Sequence, residues 1–197
     1  MIGTSAVIIG LALFSCGTPQ PASAQVKSAQ ATFRVVEVAS GLERPWGMAF
    51  LPDGRLLVTE RVGRLQIVDI GDGSKQQVSG LPDIAAVGQG GLLDVILHPD
   101  YEAFGRIYLS YVYRDERGLG TAVARASLRG ARLENLETIF EMEPTGSTSR
   151  HFGSRFAFLP DGTLLFTIGD RGNRPRAQDL GDHAGSTLRI NPDGSVP

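Results

Sequence analysis

The chain has 197 residues, 42% hydrophobic and 20% charged, with a formal net charge of -2. That length allows one or two domains with a sizeable core. The near-neutral balance excludes a nucleic-acid binder working by bulk charge, and no run of 18 apolar residues exists to span a membrane as a helix. With 25 glycines and 11 prolines, the chain suits a turn-rich β protein better than a helical one.

Residues 1–30 read as a signal peptide or lipoprotein leader with its tether. The apolar run 6–14 (AVIIGLALF) has signal-core length and is followed by Pro19, Pro21 and the peptidase-like Ala22-Ser23-Ala24. Leu13-Phe14-Ser15-Cys16-Gly17 is similar to a lipobox, which makes Cys16 a lipidation candidate. Both readings imply export, to the periplasm or beyond, with membrane contact only through a lipid on Cys16. As the sole cysteine, Cys16 allows no disulfide within the chain.

From Phe33 onward, short β runs alternate with Gly, Pro and Asp. Strands are predicted over 33–38, 56–59, 65–68, 107–113 and 164–168. Leu133–Met142 has apolar spacing compatible with either a helix or a strand. A hairpin signature, Phe-Leu-Pro-Asp-Gly-x-Leu-Leu-x-Thr, occurs at 50–59 and again at 158–167, with partial copies at 97–100 and 191–194. Proline presets the first turn angle and glycine supplies φ > 0. A recurring hairpin implies sheets arranged radially, an all-β propeller. Residues 33–197 hold about three blades and a ring needs at least four. Either the sequence is the N-terminal piece of a longer protein, the reading favoured here, or two copies associate as a homodimer.

Three segments depart from the hairpin pattern and gather polar groups: 88–94 running on to His98, 150–155, and 169–173 running on to His183. His151 suits a general base, because imidazole exchanges protons near neutral pH; it equally suits a hydrogen-bonded turn. Gln89, between glycines, suits a hydroxyl-rich ligand or a plain turn. Asp170 suits orienting a base, binding a sugar hydroxyl or capping a turn. Arg155 and Arg171 are supporting candidates, able to pair with such carboxylates. His98 reads as a turn residue. His183 with Asp179 and Asp182 reads as a solvated loop, matching no metal-ligand spacing. Nucleotide-binding glycine motifs and a Gly-x-Ser-x-Gly elbow are absent.

Four stretches, 41–61 (GLERPWGMAFLPDGRLLVTER), 88–101 (GQGGLLDVILHPDY), 150–172 (RHFGSRFAFLPDGTLLFTIGDRG) and 177–197 (AQDLGDHAGSTLRINPDGSVP), resemble the pyrroloquinoline-quinone (PQQ)-dependent sugar dehydrogenases. This is the glucose/sorbosone dehydrogenase family, and the likeness is strongest to its aldose sugar dehydrogenase branch. The resemblance implies that residues 31–197 are the N-terminal half of a six-bladed β-propeller carrying PQQ and calcium. It implies oxidation of aldose sugars at the anomeric carbon, electrons passing through the quinone to an external acceptor. His151 matches the family's catalytic base, and Gln89 and Asp170 its substrate-side polar residues. Asn173-Arg174-Pro175 departs from the glutamine of glucose-specific members, which favours broad aldose specificity. The family's PQQ-binding basic residues and calcium ligands lie in its C-terminal half, so the chain by itself is expected to bind PQQ poorly. Two other readings stay open: an exported non-catalytic carbohydrate- or protein-binding propeller, and a metal-dependent lactonase-type propeller using Asp170, Asp179 and Glu60.

Overall fold

A computed structural model describes residues 25–197. The leader features over 6–24, Cys16 among them, lie outside the described residues. The chain divides into two units, at Glu37/Val38. In the first, β1 (Gln25–Lys27) and β2 (Thr32–Arg34) form a hairpin whose turn is closed by the Ser28 hydroxyl and Ala31. The strand predicted over 33–38 is therefore shorter than expected. Its ladder stops at Arg34 opposite Gln25, and Val35 and Val36 remain exposed.

The second unit is three consecutive antiparallel sheets, which bears out the all-β reading. The first sheet holds β3 (Pro45–Phe50), β4 (Leu56–Glu60), β5 (Arg64–Val68) and β6 (Lys75–Val78), in that order. The second holds β7 (Leu92–Leu97), β8 (Arg106–Arg114), β9 (Leu119–Arg129) and β10 (Arg132–Glu141), with one helical turn, α1 (Tyr101–Phe104), after β7. The third holds β11 (Gly153–Phe158), β12 (Leu164–Ile168) and β13 (Thr187–Ile190), with a 3-10 turn at Arg174–Gln178. No helix among the described residues is long and apolar enough to cross a membrane.

The segment left open between helix and strand is β10. Two register shifts along its pairing with β9, at Glu134/Glu137 and Thr138/Phe140, break strict alternation and create the helix-like apolar spacing. The repeated turn signature closes three times in one way. Asp53, Asp161 and Asp193 each accept the backbone N–H two residues on, and Gly54, Gly162 and Gly194 each donate to the carbonyl three residues back. The copy at His98-Pro99-Asp100 lacks the glycine and leads into α1 instead.

Packing explains the continuous apolar run at 107–113. The second sheet is covered on both faces, so alternate residues of β8 enter different cores. Ile107, Leu109 and Tyr111 pack with Leu57, Leu65 and Ile67 of the first sheet. Tyr108 packs with Phe156, Leu164 and Phe166 of the third. The first sheet has an open face, where Trp46, Met48 and Phe50 of β3 are exposed.

The first strands β3, β7 and β11 are neighbours, and each is bulged at the same place: Pro45/Met48, Leu92/Val95 and Gly153/Phe156. A bulge leaves a backbone N–H without its ladder partner, and a hydroxyl on the second strand of the same sheet accepts it. Gly47 N–H donates to Thr59 Oγ1 (2.8 Å), Asp94 N–H to Ser110 Oγ (2.9 Å) and Arg155 N–H to Thr167 Oγ1 (3.1 Å). The first two hydroxyls then donate to the next sheet, Thr59 to the Leu93 carbonyl and Ser110 to the Ser154 carbonyl (3.2 Å). Hydroxyls, not apolar contact alone, seat one sheet against the next.

Candidate active site

The segments entering β7 and β11 and the one leaving β12 meet at the end of the sheets opposite the Pro-Asp-Gly turns. They meet backbone to backbone. Gln89 N–H donates to the Ser149 carbonyl (2.8 Å), and a Cβ on Gly169 would stand 2.2 Å from the His151 carbonyl oxygen. Only glycine admits that approach. His151 itself has φ +55, the left-handed conformation that a side chain disfavours.

Three of the residues singled out in the sequence come together here. His151 Nδ1 lies 2.7 Å from Asp170 Oδ1, and the same oxygen accepts the Gly172 N–H (2.8 Å). These two bonds, the imidazole first, hold the Asp170 carboxyl below its ordinary range. An ionised Asp170 can only accept, so a neutral His151 carries its proton on Nδ1 and has its lone pair on Nε2. The His151 side chain is 49% exposed, and Nε2 has no hydrogen-bond partner among the described residues. Gln89 Oε1 accepts the His151 backbone N–H (2.9 Å), and its amide NH2 has no partner among the described residues. The arrangement is an oriented base with an amide donor and a carboxylate at its side, a set suited to taking a proton from a hydroxyl.

The two arginines differ from expectation. Arg155 pairs not with Asp170 but with Asp94 (Nη1–Oδ1 3.0 Å), whose other oxygen accepts the Phe156 N–H (2.9 Å). Asp94 is buried on β7, and burial pushes its carboxyl up. A cleft of about 490 Å³ opens beside this pair, lined also by Trp46, Ser154 and Thr167. Arg171 is buried and meets no carboxylate among the described residues; its donors go to backbone carbonyls. Asp94 was the residue that sequence reasoning passed over. Its signal was an acid inside the apolar run Leu92-Leu93-Asp94-Val95.

The remaining candidates stand apart from the dyad. His98 is packed among Phe104, Tyr108 and Phe158, and its Nδ1 accepts the Asp100 N–H. His183 Nδ1 accepts the Glu143 N–H, and Asp182 is held by Arg176. Glu60 is fully buried, bound by Arg64, Gln66 and the Glu43 N–H. The Arg64 bond above all lowers its carboxyl to about 2. Among the described residues, no three His, Cys, Asp or Glu side chains converge as metal ligands.

A sequence profile described as glucose/sorbosone dehydrogenase matches residues 42–197. The chain belongs to that family. It is 39% identical over 179 residues to the aldose sugar dehydrogenase YliI of Escherichia coli, covering 89% of this chain and 48% of that protein. A crystal structure of a glucose dehydrogenase superposes with a TM-score of 0.78 at 41% identity, over 81% of this chain and 48% of the other. The PQQ-bound aldose sugar dehydrogenase of Streptomyces coelicolor superposes with a TM-score of 0.68 at 32% identity, over 80% and 47%. The chain thus spans about half the length of the curated relatives it matches, and its sheets follow the propeller-like architecture of these glucose/sorbosone dehydrogenases.

Proposed function

We propose that this chain is part of a six-bladed, PQQ-dependent dehydrogenase that oxidises aldose sugars at the anomeric carbon to lactones. The observation that carries the reading is the His151–Asp170 bond, which leaves Nε2 of the neutral ring for a ligand near the Gln89 amide. The family and the PQQ-bound relative support the cofactor. His151 accepts the proton of the anomeric hydroxyl as the C1–H bond breaks and C1=O forms. The Gln89 amide donates to the anomeric oxygen, and Asp170 Oδ2 remains for a sugar hydroxyl. PQQ, when bound, supplies the two-electron acceptor for the C1 hydride and passes the electrons to an external acceptor.

The donors at this end fit an anionic acceptor. Arg150 lies against Gly172 and Arg174 acts on Asp170 through its charge, both exposed and neither in a direct ion pair among the described residues; they are cations of this chain suited to the PQQ carboxylates. Calcium finds no such fit, since no ligand cluster stands among the described residues, and no step here depends on it. Export, by cleavage after Ala24 or anchoring through Cys16, would place the reaction outside the cytoplasm.

Dye reduction by the whole protein, supplied with PQQ, calcium and a panel of aldoses, tests the reading. His151→Ala is expected to lower kcat by about 100-fold or more, the usual contribution of a general base. Unchanged turnover in that variant would remove His151 from the mechanism. Lactone opening with no electron acceptor would replace the dehydrogenase reading with a hydrolase.

A further inference from the structure

Asp170 and Arg171 are adjacent in the turn that leaves β12, and their side chains act on opposite sides of one segment. Asp170 reaches outward to the His151 ring. Arg171 turns inward, 1% exposed, with its guanidinium 3.8 Å over the centroid of the Phe152 ring. Its Nε donates to the Arg150 carbonyl (3.1 Å), Nη1 to the Leu119 carbonyl (3.0 Å) and Nη2 to the Thr148 carbonyl. The Thr148 hydroxyl returns a bond to the Arg171 carbonyl (2.6 Å).

A buried cation without a counterion is unfavourable unless its donors are met. Desolvation lowers the Arg171 pKa to about 10, so it stays charged at neutral pH and its N–H groups remain strong donors. The planar fork reaches three carbonyls from three separate nitrogens, a spread that the single nitrogen of lysine does not reproduce. Two of those carbonyls, Thr148 and Arg150, belong to the residues just before His151. The clamp therefore acts on backbone that leads into a left-handed, disfavoured conformation, and such a conformation persists only where the surroundings over-determine it.

We propose that Arg171 is a positioning residue for His151: it fixes the backbone on which the imidazole stands, while Asp170 fixes the ring. The inference rests on reading His151 as the base, but its test does not depend on any sugar being oxidised.

The three histidines of this chain report it. His98 and His183 each accept a backbone N–H at Nδ1, so when neutral they carry the proton on Nε2. His151 donates from Nδ1 to Asp170 and is alone in the opposite tautomer. Ring-nitrogen NMR of protein labelled with 15N-histidine, at a pH where the rings are neutral, is expected to show one Nδ1–H pattern and two Nε2–H patterns from this chain. In Arg171→Lys, the His151 pattern is expected to shift toward a mixture of tautomers while His98 and His183 stay as they were. A purely structural role would instead disturb all three together through loss of folded protein. Wild-type tautomers at His151 in folded Arg171→Lys would overturn the proposal.

Should Arg171→Lys fail to fold, Arg171→Met keeps much of the length of the side chain without its donors and carries the same readout. An unchanged His151 signal there overturns the proposal as well. In the whole protein, Arg171→Lys is expected to lower kcat by about 10- to 100-fold with KM nearly unchanged, as a slightly misplaced base would. A native His151 tautomer in a wild-type protein that oxidises no aldose would defeat the functional reading and leave this one standing.

Discussion

The two ends of the sheets are both rich in glycine and use it for different reasons. At the turn end, Gly162 sits at φ +84 with nothing within 4 Å of where its Cβ would be. It serves backbone conformation alone, as Gly54 does; Gly194 closes the same turn and also approaches the Ile139 carbonyl. At the loop end, Gly169 has an ordinary φ, but a Cβ there would strike the His151 carbonyl. It serves close approach. The turn end repeats because any sheet of this kind needs it. The loop end is individual because three segments must interlock around one imidazole.

Substitutions can break this comparison. The largest effect is expected for Gly169→Ala, where one methyl group must push two packed backbones apart. A loss of about 3 kcal/mol in a thermal or urea melt is expected, at the upper end for overpacking. Next comes Thr59→Val, which leaves the Gly47 N–H and the Leu93 carbonyl unpaired in a buried junction. It is expected to cost about 2 kcal/mol by urea midpoint. Gly162→Ala should cost only about 1 kcal/mol, because it meets left-handed strain and no neighbour. Equal losses at Gly169 and Gly162 would erase the distinction between the two ends.

The pH-dependent effect, present at neutral pH and lost in acid, belongs to Glu60. Its folded pKa of about 2 lies below the ordinary glutamate value of 4.5. The unfolded chain therefore binds this proton first. The stabilisation is fully present above about pH 4.5 and disappears as pH falls toward 2. Glu60→Gln should flatten that part of the stability profile. An unchanged acid slope would show that the Arg64 pairing contributes nothing to it.

Much of the fold was legible because local and tertiary demands agreed. Leu56–Glu60 and Leu164–Ile168 are short apolar runs of strand length, and the turn between each and its preceding strand has its own chemistry. Leu133–Met142 was ambiguous because bulges shift its register, and bulges are decided by the neighbouring strand. The site was legible as residues and not as bonds. His151, Gln89 and Asp170 each stood out in a polar segment, yet only the fold brings the ring of one to the carboxylate of another. Arg155 and Arg171 show the limit most clearly. A guanidinium near a carboxylate in sequence suggests an ion pair, but one fork found Asp94 on another sheet and the other found carbonyls, the Met142 sulfur and the Phe152 ring. Side-chain direction at a turn depends on backbone φ, and Arg171 sits at +55, where composition offers no warning.

The hydroxyls at the bulges carry a sense of direction. Thr59 and Ser110 each accept a hydrogen bond from a strand of their own sheet and donate one to the sheet that follows. Thr167 takes one from Arg155 and gives none among the described residues. Every junction made this way has a donating side and an accepting side, so it is heterologous in symmetry terms. Two sheets related by a two-fold axis cannot both be seated by it. An assembly built on this contact has a head and a tail, and it grows or closes in one rotational order only.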